Sequence, residues 1–140
     1  MQLITNIQKC MEMQNFALSL AGLIGATTAI VHGILTHRLM VRPIDRRLAD
    51  HSGVSLTIRR IVPPLLQYST YSWLVGGIAL IIAANVADPE TRLGVGLLVG
   101  SMYLYGAIAN CWATRGRHPG WMLMALAVAL IAVNLAATVG

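Results

Sequence analysis

No acidic residue lies within any of the four long apolar runs of this chain, residues 16–37, 61–87, 91–114 and 121–139; all five acids fall between or before them. A helix needs about 20 apolar residues to cross roughly 30 Å of hydrocarbon, so each run is of spanning length. Four such runs in 140 residues leave no room for a separate soluble domain. A chain that is 56% hydrophobic and 11% charged also cannot clothe a small core with a water-facing surface. The expected fold is all-α: a single transmembrane domain over 1–140, built as an integral membrane four-helix bundle of two antiparallel hairpins.

Local signals set the boundaries. Residues 1–15 lack a basic n-region, and their apolar positions Leu3, Ile4, Ile7 and Met11 mark one face of a short interfacial helix. The connection 38–60 carries Arg38, Arg42, Arg46, Arg47, Arg59 and Arg60 and reads as a loop in water or among headgroups. The second span starts near Ile61, with Pro63 and Pro64 in its first turn, where missing amide donors cost least. Asp88-Pro89-Glu90 is a turn in which Asp88 caps the next helix, Pro89 takes its first position and Glu90 complements its positive end. Arg115 to Gly120 forms an equally short turn, and Trp121 anchors the fourth span at an interface.

Charge orients the chain. The nine arginines and one lysine place six basic residues in the first connection and two, Arg115 and Arg117, in the third, against Lys9 and Arg92 on the other side. By the positive-inside rule, a bacterial inner (plasma) membrane would hold both arginine-bearing loops in the cytoplasm and both termini outside. The net charge of +5 therefore reads as topology or contact with lipid headgroups, not nucleic acid.

Two pairs of segments echo each other. His32-Gly33 aligns with Tyr105-Gly106 ahead of an arginine-bearing turn, and Asn85 and Asn134 close two similar apolar runs, so a parallel two-helix pseudo-repeat is one reading and chance is the other. At its turns the chain resembles a family of small four-helix bacterial inner-membrane proteins with no assigned biochemistry. The matching pieces are His32-Gly33 with Arg38 and Arg42-Pro43, then Arg59-Arg60 before Trp73, and Arg115-Gly116-Arg117-His118-Pro119-Gly120-Trp121. The resemblance implies a fold and a location but no catalytic residues. Members carry a histidine in the first turns of the second span where this chain has Gln67, which weakens a metal or haem reading built on paired histidines.

His32 is the one histidine well inside a span. With Gly25 and Thr28 it forms a polar stripe at helical spacing, and a polar group at that depth faces the bundle or a cavity. It either binds a ligand or is a neutral structural histidine bonded to a neighbouring hydroxyl, amide or carbonyl. Gln67, Thr70, Tyr71, Ser101, Tyr105, Asn110 and Trp112 could surround it, and a pocket of His32, Gln67 and Tyr105 is the sharpest site expectation. Tyr68, Tyr71, Trp73, Trp112 and Trp121 read equally well as an interfacial aromatic belt. His37 is turned roughly 140° from His32, and His51 and His118 belong to loops, so no metal site is expected. No cofactor is predicted, although haem and quinone remain open.

Small residues carry the remaining signal. Gly96 with Gly100, Ala21 with Gly25, and Gly22 with Ala26 are small-xxx-small pairs that let backbones meet, within the chain or between copies. Cys10 and Cys111 fall at opposite ends of the bundle, too far apart for a disulfide. The first functional expectation is a non-enzymatic structural or accessory component that packs in a membrane complex, against other membrane subunits, or with copies of itself. The alternative is a small carrier, channel or cofactor-binding protein working through His32. No catalytic residue is assigned.

Overall fold

The computed structural model describes residues 2–50, 53 and 55–139; the side chains at 3, 4, 6, 7, 10, 49, 50 and 137–139 are outside that description. Among the described residues the secondary structure is helical, with no strand. The elements are α1 (Gln2–Thr36), a π-helical turn (His37–Val41), α2 (Arg42–Asp50), α3 (Leu56–Val86), α4 (Pro89–Ala113) and α5 (Gly120–Val139). Three stretches, Met11–Leu48, Leu56–Val86 and Pro89–Ala113, are long and apolar enough to cross a membrane; the apolar part of α5, Gly120–Ala136, is shorter.

Two expected boundaries are corrected. Residues 2–15 form no separate interfacial helix, because α1 runs unbroken from Gln2 to Thr36. The connection 38–60 is mostly helical. Pro43 has no amide hydrogen, and in a regular α-helix its ring would strike the carbonyl of Leu39. The chain widens instead, and the Arg42 N–H reaches back to the His37 carbonyl in a π-turn. Beyond it α2 continues as a two-faced helix, with Ile44 and Leu48 half-buried and Arg42, Asp45, Arg46 and Arg47 exposed.

The start of α3 also moves. Ser55 caps it by accepting from the Ile58 N–H at 3.3 Å, so the helix begins at Leu56 and Pro63 and Pro64 lie inside it, not in its first turn. The cap of α4 follows the sequence signal. Asp88 Oδ1 accepts from the Thr91 N–H at 3.0 Å, Oδ2 accepts from the Thr91 hydroxyl at 2.7 Å, and Pro89 opens the helix. These bonds hold the exposed Asp88 carboxyl below the usual carboxylate range, the backbone N–H of Thr91 contributing most.

The long helices meet in a cycle: α1 packs on α3 and α5, and α4 packs on α5 and, less extensively, on α3. The closest approach is between α1 and α3, where Gly22 faces Gly77. A Cβ on Gly22 would stand 2.5 Å from the Gly77 carbonyl oxygen, and one on Gly77 would stand 2.6 Å from the Gly22 carbonyl oxygen. No larger residue fits at either position unless the helices separate. Gly25 makes room for the Tyr103 ring, and Gly106 for the Trp73 indole. Gly96 lies against Leu135 and Gly100 against Ile131, so both face α5 of the same chain.

Side-chain bonds tie the helix ends together. Asn134, 2% exposed on α5, donates to the Gln14 carbonyl of α1 at 2.9 Å. Arg92 of α4 donates to the Ala87 carbonyl at 2.8 Å and also to Asn15 Oδ1 on α1. Asn85, the counterpart of Asn134 in the suggested repeat, is exposed and bonds the Ile81 carbonyl of its own helix. These two echoed asparagines therefore do different work. Cys111 is a half-buried free thiol, and the Cys10 side chain lies outside the described residues.

Candidate functional site around His32

The Gly25, Thr28 and His32 stripe turns inward on α1, with Gly25 and Thr28 buried and His32 half-buried. His32 Nε2 lies 3.2 Å from Thr36 Oγ1, one turn along the same helix, and 3.4 Å from Ser69 Oγ on α3. Its ring centroid is 4.8 Å from that of Trp73, with the planes tilted by 50°. Both neighbouring hydroxyls are on the Nε2 side, and no hydrogen bond to Nδ1 is made among the described residues.

Gln67 is near but does not bond His32. It donates instead to the Gly33 carbonyl at 3.2 Å, while the Thr70 methyl fills the space that a Gly33 side chain would take. Tyr105 does not join the pocket: it is 74% exposed on the outer face of α4. The buried tyrosine is Tyr103, fully enclosed, whose hydroxyl donates to the Trp73 carbonyl at 3.0 Å. A two-residue offset on a helix is a rotation of roughly 200°, so if one of these tyrosines faces inward the other faces out. The inward set Gly96, Val99, Tyr103, Gly106 and Ala107 has helical spacing, and that pattern was the available signal for Tyr103. Trp73 also leaves the expected aromatic belt for the core, while Tyr68, Tyr71 and Trp112 stay exposed.

A cavity of about 270 Å³ opens beside His32. Thr27, Thr28, Val31 and Leu35 of α1 and Leu123 of α5 form most of its wall, Trp73 and Asn110 come from α3 and α4, and His118, Pro119 and Gly120 close one end. The turn that delivers His118 depends on two residues in the left-handed region, Arg115 (φ 51°) and Gly116 (φ 73°). Through it the Gly116 N–H bonds the Cys111 carbonyl at 2.8 Å and ends α4 abruptly. His118, placed in a loop by sequence and so set apart from His32, thus lines the same cavity.

The polar groups of this cavity are incompletely matched by protein. The Thr28 hydroxyl oxygen is fully buried and has no hydrogen-bond partner among the described residues. Asn110 donates its amide to the Gly106 carbonyl at 2.9 Å, which leaves Oδ1 free to accept. His118 Nδ1 accepts from the Gly120 N–H at 3.1 Å, so in the neutral ring the proton sits on Nε2 as a donor. Of these groups only the Thr28 oxygen is fully buried; Asn110 is half-buried and His118 exposed. Val31 of α1 and Leu123 of α5, which line the cavity, are each about half exposed.

Other expected positions stay apart from this site. His37 is exposed in the π-turn, and His51 lies outside the described residues. Among the described residues no three His, Cys, Asp or Glu side chains come together as a metal site. No protein-family model, curated protein or solved structure matches the chain.

Proposed function

We propose that this is a multi-pass membrane protein of four crossing helices that binds a small amphipathic molecule, drawn sideways from the bilayer, in the cavity beside His32. The observation that supports the reading is the cavity itself, whose largely apolar wall, with Val31, Leu35 and Leu123, also carries His32, Asn110 and His118. Such a site suits a neutral molecule with one hydroxyl- or carbonyl-bearing ring and an apolar tail, the chemistry of a quinone or a phenolic lipid. A volume of about 270 Å³ is that of roughly nine waters, enough for the ring but not for the whole tail. Haem is a much larger group and fits less well. In a bacterial inner membrane the cavity would lie toward the cytoplasmic side, the same side as the arginine-bearing loops.

The test is native mass spectrometry of protein extracted gently from its own membrane, beside His32→Ala and Leu123→Trp. The wild type should carry excess mass equal to one small molecule, and Leu123→Trp, which blocks the mouth, should lose it at normal abundance. A bare wild-type chain, or equal retention by the blocked variant, would overturn the reading.

The accessory-component reading keeps one specific support. Leu98, Ser101, Tyr105, Ile108 and Trp112 make an exposed stripe at helical spacing along α4, suited to a neighbouring subunit or a second copy. The small residues that first suggested assembly no longer argue for it, because Gly22, Gly25, Gly96 and Gly100 all pack within the chain. Tyr105→Ala with Trp112→Ala should release any partner seen in the same spectra and leave the small molecule bound.

A further inference from the structure

The turn from α1 into α2 gathers positive charge in one place. Arg38, Arg42, Pro43, Arg46 and Arg47 line a single open concavity of about 450 Å³. Arg38, Arg42 and Arg46 follow one another at four-residue intervals, about one turn or 6 Å apart along the helix axis. Asp45 is on the same helix but does not line the hollow. The π-turn joins the two halves of the cradle, since it carries the chain past Pro43 without a break and keeps Arg38 on the same continuous rod as Arg46.

Apolar surface borders the charge. Ile34, one turn before Arg38 on the same face, is half exposed, and Leu39, next to Arg38, is 69% exposed. Guanidinium groups match phosphate oxygens in geometry and charge, and the adjoining apolar side chains match acyl chains. A free phosphate would use the first set and have no use for the second.

We propose that Arg38, Arg42 and Arg46 form a binding site for the phosphate headgroup of an anionic phospholipid, whose acyl chains lie along Ile34 and Leu39. The site fixes the end of the first span and α2 at the membrane surface. It is independent of the His32 cavity, and either could fail without the other.

The experiment uses the full chain in nanodiscs of phosphatidylcholine containing a minor fraction of phosphatidylglycerol, with lipids retained after release counted by native mass spectrometry. The wild type should enrich phosphatidylglycerol over phosphatidylcholine. Arg42→Gln and Arg46→Gln should each reduce that enrichment about fivefold, and Arg42→Lys should restore most of it. Arg115→Gln with Arg117→Gln removes as much charge from the other loop and should leave it unchanged, while circular dichroism reports that every variant is folded. Equal loss in both loops would reduce the effect to bulk charge and overturn the site. So would inorganic phosphate that binds the detergent-solubilised chain and displaces phosphatidylglycerol, since the phosphate would then not belong to a lipid.

Discussion

Two hollows of similar size flank the seam between α1 and α5 at opposite ends of the molecule, and their polar groups are matched to different degrees. The first is the cavity of about 270 Å³ beside His32; the second, about 240 Å³, lies among Met13, Phe16, Ala17, Leu20, Leu130 and Val133. The second also reaches a buried polar residue, Asn134, but its amide bonds the Gln14 carbonyl across the seam. At the first, the Asn110 side-chain oxygen accepts from no group among the described residues. Size therefore does not distinguish a site from a packing defect; unmatched hydrogen-bonding capacity does.

The backbone contact between these two regions should be the most sensitive. Gly22→Leu drives side-chain atoms into the Gly77 carbonyl and should cost about 3 kcal/mol or more, read as loss of folded protein in detergent unfolding curves. Full stability would mean that α1 and α3 do not meet there. At the matched end, Asn134→Ala removes the donor to Gln14 and should cost about 2 kcal/mol by the same measurement, without changing any bound mass. Tyr103→Phe, which removes only the hydroxyl that donates to the Trp73 carbonyl, should cost about 1 kcal/mol.

The comparison sharpens when each hollow is filled. Leu123→Trp at the first and Leu130→Trp at the second should each change stability by less than about 1 kcal/mol, because both are at or near an open rim. Only the first should abolish the retained small molecule. If both do, the ligand lies along the whole seam rather than beside His32.

The smallest effect is expected outside both hollows, at the Asp88 cap. Its carboxyl titrates below the ordinary carboxylate range in the folded chain, so its stabilisation is complete above that range and is lost as the pH falls through the lowered value. Asp88→Asn keeps the cap geometry and should flatten this acid limb of the melting temperature against pH, leaving the neutral value little changed. An unchanged acid limb would show that Asp88 does not set it.

Much of the fold was legible because apolar length and turn chemistry act locally. The long helices, the Asp88-Pro89 start of α4 and the inward stripe of Gly25, Thr28 and His32 all follow from residues within a turn or two of one another. The first connection was harder. Its arginines suggested a loop, yet four-residue spacing of those same arginines, with Ile44 and Leu48 opposite, is also helical, and the helix widens into a π-turn just before Pro43. Around His32 the expected grouping was only partly geometric: Gln67 lies close but bonds the Gly33 carbonyl, and Tyr105 faces out where its neighbour but one, Tyr103, faces inward.

By itself, the sequence determined that this chain is helical, that three of its four expected spans are long and apolar enough to cross a membrane, and where the charges cluster, since these depend on composition and short-range spacing. Tertiary structure decided which glycines receive which side chains, that Trp73 and Tyr103 are core, and that His118 shares a cavity with His32. Those outcomes depend on the rotation and register of one helix against another. In uniformly apolar helices, each of which could bury several different faces, that register is fixed by close packing between segments distant in the chain.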